Sequence, residues 1–167
     1  MVACALLLAA VAALPELEVN LAVAPARLSL QFAVHEELPD DWQQALSGGA
    51  PVSITYRIQL YRNRRWLWDQ RLASHELVVK GQRDPLTGVF TLVAELDEEI
   101  LASGQASSVE EAMHWMTSPP TVEVPIPLRH EPLWLVVRAE FMTRYKLLVI
   151  PTTVGTDWVQ RAIPESP

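Results

Sequence analysis

Apolar residues recur at every second position along most of this chain, and a period of two marks strands with one buried face. Leu17, Val19, Leu21 and Val23 alternate with Glu18, Asn20 and Ala22, and the run stops at Pro25. Leu28, Leu30, Phe32 and Val34 alternate with Arg27, Ser29, Gln31 and Ala33 in a second strand. The clearest alternation starts at Val52. There Val52, Ile54, Tyr56, Ile58 and Leu60 point one way, while Ser53, Thr55, Arg57, Gln59 and Tyr61 point the other. A break at Arg62, Asn63, Arg64 and Arg65 separates this strand from Trp66 to Leu72, a run long enough to return antiparallel. The pattern predicts a hairpin with a basic tip.

Further on, Glu76 to Lys80 and Val89 to Glu95 are strand-like runs, joined across Gly81 to Gly88 in a second predicted hairpin. Two segments change period. After Pro39, placed at the first helical position, Asp40 and Asp41 suit a helix N-terminus, Trp42, Ala45 and Leu46 share a face, and Gly48-Gly49 supplies the stop. A second helical interval follows the second hairpin. Ser107 or Ser108 caps it, Glu110 or Glu111 completes a capping box, Val109, Ala112, Met113 and Met116 form the apolar stripe, and Pro119-Pro120 ends it. Thr121 to Leu128, with Pro125 and Pro127, reads as an edge strand or extended loop. Leu133 to Phe141 starts apolar on both faces, as a central strand does, and Lys146 to Ile150 supplies another. Thr156 to Val159 adds a final short strand. The fold class predicted is mainly β: an antiparallel β-sandwich, Ig-like in architecture, of about eight strands with two short helical insertions.

Composition sharpens this picture. The 167 residues suit one domain, with a hydrophobic half and a charged fifth as in ordinary globular chains. The 13 prolines fall at turns and strand ends, as a β-rich fold requires. A net charge of −7 argues against nucleic acid as a partner, because a phosphate-tracking surface needs a positive excess. Residues 1–14, MVACALLLAAVAAL, are an apolar run too short to span a bilayer as an ordinary helix and read as an export signal. A buried N-terminal element is the alternative. Cys4 is the single cysteine, and the apolar residues after it do not resemble the polar tether of a lipid anchor. The expected organisation is a signal over 1–14, one domain over 15–163 and a short tail over 164–167, with a periplasmic mature form that has no disulfide and no transmembrane span.

The candidate chemistry is sparse. Three His-Glu pairs occur, His35-Glu36, His75-Glu76 and His130-Glu131, but neighbouring strand residues face opposite sides, so no pair is a chelate by itself. His114 beside Trp115 suits the edge of a core. The carboxylates Glu36, Glu37, Asp40 and Asp41, and Asp97, Glu98 and Glu99, read as solvated turns and a helix start. There is no Gly-x-Ser-x-Gly elbow, phosphate loop or dinucleotide fingerprint, so no catalytic, cofactor or metal residues are assigned. What stands out is basic: Arg57, Arg62, Arg64, Arg65 and Arg71 crowd one stretch of an acidic protein, interleaved with Trp66 and Trp68. Arginine forks grip carboxylates and phosphates, and indoles give stacking faces, a pairing common in contact surfaces. The candidate contact residues are therefore Arg62, Arg64, Arg65, Trp66 and Trp68. The competing reading is a solvated turn over tryptophans that fill the core.

These residues also carry a resemblance. A helix ending in Ala45-Leu46, then Gly49 and Pro51, an alternating strand, Arg62-Asn63-Arg64-Arg65-Trp66 and Trp68-Asp69 resembles the bacterial exported family described as domain of unknown function 4390. The Ser-Val-Glu-Glu-Ala helix start at 108–112 and Asp157-Trp158 are in keeping with it. The resemblance spans about Leu28 to Val159. It implies a small periplasmic protein, often encoded near two-component sensor kinases, and it brings no catalytic residues. The functional expectation is a non-enzymatic binding or adaptor module that meets an envelope protein, a membrane sensor among the candidates, through the Arg/Trp hairpin. The alternatives are a metal-dependent hydrolase using the His-Glu pairs and a lipid-binding envelope carrier.

Overall fold

The computed structural model of the chain describes residues 15–35, 38–62, 69–126, 132–143 and 154–164. Its centre is the alternating strand. Val52, Ile54, Tyr56, Ile58 and Leu60 are all buried, and the strand that carries them, β3 among the elements named below, is flanked on both sides along its length.

In chain order the elements are β1 (Glu16–Ala24), β2 (Arg27–His35), α1 (Asp40–Ser47), β3 (Val52–Arg62), β4 (Gln70–Arg83), β5 (Phe90–Leu96), β6 (Glu99–Ala106), α2 (Val109–Thr117), β7 (Val122–Pro125), β8 (Leu133–Thr143), β9 (Val154–Gly155) and β10 (Val159–Ile163). They form two open antiparallel sheets. The smaller has the order β1-β2-β7, and the larger has the order β10-β8-β3-β4-β5-β6, with β9 also paired to β8.

Several expectations hold closely. β1 and β2 fall where the alternation places them, and the structure pairs them from Glu16 with His35 to Ala24 with Arg27. β7, bounded by its prolines, is an edge strand, and β8 is internal between β3 and β10. Ser108 caps α2 by accepting from the Glu111 amide at 3.1 Å. The returning half of the capping box is shifted by one residue, because Glu111 Oε2 accepts from the Ser107 amide at 2.8 Å.

Other expectations are corrected. The runs read as separate strands, Trp66 to Leu72 and Glu76 to Lys80, belong in their described parts to one long strand, β4, which pairs with β3 from Gly81 to Gln70. The register shifts between Leu60 and Tyr61, so Leu72 has no partner position across the ladder. That bulge breaks the alternation that would have announced a single strand. The hydrophobic pattern does not announce β6. Its residues, EILASGQA, show no apolar alternation, because an edge strand half covered by a helix has no need of one. Pro39 caps α1 from outside the helix, with ψ of 129°, instead of occupying its first turn. Of the last predicted strand, Thr156 to Trp158 form the link between β9 and β10, and only Val159 is in strand. Lys146 to Ile150 lie outside the described residues.

One face of the larger sheet carries the core. Leu77 and Val79 of β4, Phe90, Leu92 and Ala94 of β5, and Leu133, Leu135, Val137, Ala139 and Phe141 of β8 join the β3 set. Three elements cover it. Phe32 of the smaller sheet stacks on Tyr56, with centroids 5.2 Å apart and planes 22° apart. Trp42 of α1 meets Phe141 edge-on at 6.2 Å and donates its indole N–H to the Ser53 carbonyl at 3.3 Å. Met116 of α2 presses on Gly81, where a Cβ would come within 2.5 Å of its sulfur, so a side chain at this position would force Met116 to shift.

Candidate contact surface

The face of the larger sheet turned away from that core carries a group of half-buried aromatic and apolar side chains beside an arginine. Its ladder positions change character along β3. At the hairpin end, Tyr61 lies opposite Arg71 and Trp134, and Gln59 lies opposite Ser74 and Val136. Trp134 and Val136 in turn face Ala162 and Gln160 of β10. Tyr61, Trp134 and Val136 are half-buried, Arg71 is exposed, and none of these eight positions is acidic. The Tyr61 hydroxyl donates to Gln59 Oε1 at 2.8 Å.

The middle of the face is a charged ladder. Arg57 Nε donates to Glu140 Oε2 at 3.0 Å, a contact that raises the guanidinium pKa further. Arg138 stands across from Arg57, a like-charge neighbour. Its guanidinium lies 5.8 Å from the centre of the Trp158 ring, a cation–π contact, and its Nε is buried without a hydrogen-bond partner among the described residues. Thr156 fixes this corner, since its hydroxyl accepts from the Ala139 amide at 3.1 Å. At the far end, Ser53, Thr55, Val78, Lys80, Val93 and Met142 line a groove of about 530 Å³. It lies on the outer face, whereas the two sheets meet through Phe32 and Tyr56.

Of the five contact candidates, Arg62 ends β3 opposite Gln70 and the buried Leu133, so it shares the core side of the ladder with Leu60 and is half-buried there, on the opposite face from Tyr61. Arg64, Arg65, Trp66 and Trp68 lie outside the described residues. The ladder brings Arg62 and Arg71 to one end of the sheet and holds Arg57 midway along it, tied to Glu140. Tyr61, Trp134 and Val136 are not among the candidates that the sequence offers. Their signal was present in the sequence, because a strand start apolar on both faces puts Trp134 and Val136 on the outer side, where the described residues supply no second layer.

The histidine pairs separate as strand geometry requires. His35 Nε2 contacts Glu18 Oε2 at 2.8 Å across the β1–β2 ladder, and this bond is the main reason that the Glu18 carboxyl is held below its usual range. Glu36, His130 and Glu131 lie outside the described residues. His75 Nδ1 donates to Asp97 Oδ2 at 2.6 Å, while Asp97 Oδ1 accepts from the Glu76 amide at 2.9 Å. This is the arrangement of an oriented imidazole, yet Nε2, the atom that would do chemistry, is buried and without a partner among the described residues. Glu76 instead stands opposite Arg57. Among the described residues no three His, Cys, Asp or Glu side chains converge as a metal site, and no helix is long and apolar enough to cross a membrane.

The molecule is thus a mainly β protein of two open antiparallel sheets, with an arginine-bearing hairpin at one end of the larger. Residues 16–138 match the sequence profile of the family described as domain of unknown function (DUF4390), and the chain belongs to that family. The match runs from β1 into β8 and includes the hairpin, while Asp157-Trp158 lies beyond it. No curated protein and no solved structure matches the chain.

Proposed function

We propose that the protein is a non-enzymatic binding or adaptor module of the bacterial envelope, exported to the periplasm, which meets a partner protein through the β3–β4 hairpin and the sheet face beside it. The observation that carries this reading is the outer face at the hairpin end, where Tyr61, Trp134 and Val136 lie beside Arg71 with no carboxylate in the surrounding ladder positions. Aromatic and arginine side chains on an uncovered face favour desolvated contacts with carboxylates and apolar groups. A membrane sensor is the partner of choice in this reading. An Ig-like sandwich remains part of the proposal, with α1 and α2 taking ground on the inner face that a larger second sheet would cover.

Reversing Arg64 and Arg65 to glutamate is expected to abolish crosslinking in cells from a photoreactive residue at position 71, while thermal unfolding stays within about 1 °C. Loss of folding in that variant would instead assign the arginines to the structure. The lipid-carrier reading is favoured by one observation, the partly apolar groove beside Val78 and Val93. Native mass spectrometry of protein purified from the envelope checks it. A co-purifying lipid that is lost on Val78→Trp supports a carrier, and a bare protein mass sets that reading aside.

A further inference from the structure

We propose that β6 is a docking edge that takes an extended peptide strand, uncharged through its middle and basic at both ends. This surface is separate from the hairpin end. β6 closes one side of the larger sheet, and among the described residues nothing pairs with its outer side. The other sheet edges carry features that discourage strand addition. β1 presents Glu16 and Glu18, β7 has four residues ending in Pro125, and β10 has five residues and carries Arg161. From Ile100 to Ala106, β6 has neither charge nor proline. Ile100 is 72% exposed and Leu101 40%, as members of an irregular step where β5 and β6 shift register. Beyond that step, Ala102 to Ala106 run regularly and offer backbone groups to an incoming strand.

Two features specify the occupant. Trp115 of α2 lies against Gly104, where a Cβ would sit 3.4 Å from its indole nitrogen, and the half-buried ring forms an apolar shelf beside the edge. Acidic residues bracket the uncharged stretch, with Asp97 and Glu98 before the strand, Glu99 at its start, and Glu110 and Glu111 after it. A second copy is a poor fit. Antiparallel self-pairing about Ser103 sets Glu99 against Ser107 of the other copy, whose amide already holds the Glu111 carboxylate. A foreign strand with basic flanks meets complementary charge at both ends.

The probe is a nine-residue peptide of alternating valine and threonine with two lysines at each end, added to the full chain. Backbone amide exchange is expected to slow at residues 100–106 and nowhere else. Affinity by fluorescence anisotropy is expected to fall about tenfold or more when glutamates replace the lysines, or in the Glu98→Lys, Glu99→Lys, Glu110→Lys variant. That variant changes exposed side chains, and an unchanged circular dichroism spectrum confirms its fold. A peptide N-methylated at alternate amides keeps the charge and is expected not to bind. Equal binding of the methylated peptide, protection elsewhere, or no saturable binding would overturn the proposal. So would protection of 100–106 that rises with protein concentration in the absence of peptide, which would make a second copy the occupant.

Discussion

At the scale of single residues, Tyr56 shows how one side chain can be both core and connector. Its ring is fully buried against Phe32, and its hydroxyl donates to the Met116 carbonyl at 3.0 Å, tying the last turn of α2 to the middle of β3. Burial pushes the phenol pKa up, because the phenolate would lose its hydration. A folded-state pKa raised above the unfolded one means that stability is fully present below the ordinary phenol value of about 10 and is lost as pH rises beyond it. Melting temperature is therefore expected to fall steeply above about pH 10. Tyr56→Phe should flatten that alkaline limb while costing about 1 kcal/mol at neutral pH, since the Met116 carbonyl loses its donor. Calorimetry of both proteins across the alkaline range checks this, and an unchanged alkaline limb in the variant would point to other groups.

At the scale of elements, the β5–β6 hairpin contrasts with β3. Asp97 and Glu98 form its two-residue loop with φ of 49° and 73°, the left-handed pair that lets a tight turn follow strand twist. Asparagine, aspartate or glycine suits such positions, whereas glutamate gains nothing from its side chain there. Glu98→Gly is expected to stabilise the protein by about 1 kcal/mol, read as a higher urea midpoint at unchanged slope. The same hairpin shows why part of the fold was not legible in the sequence. β1, β2, β3 and β8 face a core and so carry their period openly, and α2 announces itself by Ser108 and its following glutamates. β6 buries little beyond Ala106 and turns its small residues toward α2, so its backbone pairing leaves no hydrophobic signature. β4 was divided because a bulge at Leu72 and the polar pair Ser74-His75 interrupt the alternation. The candidate contact surface was legible to the same degree. Arg62 and Arg71 stood out by charge in an acidic chain, whereas Tyr61, Trp134 and Val136 join only through cross-strand pairing.

At the scale of the whole molecule, neither sheet is a continuous stretch of chain. β1 and β2 begin the smaller sheet, the chain then lays down β3 to β6 of the larger, returns through α2 to add β7 beside β2, and adds β8 beside β3. β2 and β3 therefore each wait for a partner made much later, and such non-local pairings give slow, concerted folding. The layers are coupled in space as well, since Phe32 rests on Tyr56 and Tyr56 bonds to the end of α2. Phe32→Ala removes the ring that joins the sheets and is expected to cost about 3–5 kcal/mol, the range for a large aromatic side chain lost from a core. Because the sheets are interleaved along the chain, that loss should destabilise the larger sheet as much as the smaller. Urea unfolding followed by near- and far-ultraviolet circular dichroism is expected to give coincident transitions in the native protein and the variant, with only the midpoint lowered. An early transition confined to part of the signal would show instead that the smaller sheet can come away while the larger stands, leaving Tyr56 and its neighbours to the solvent.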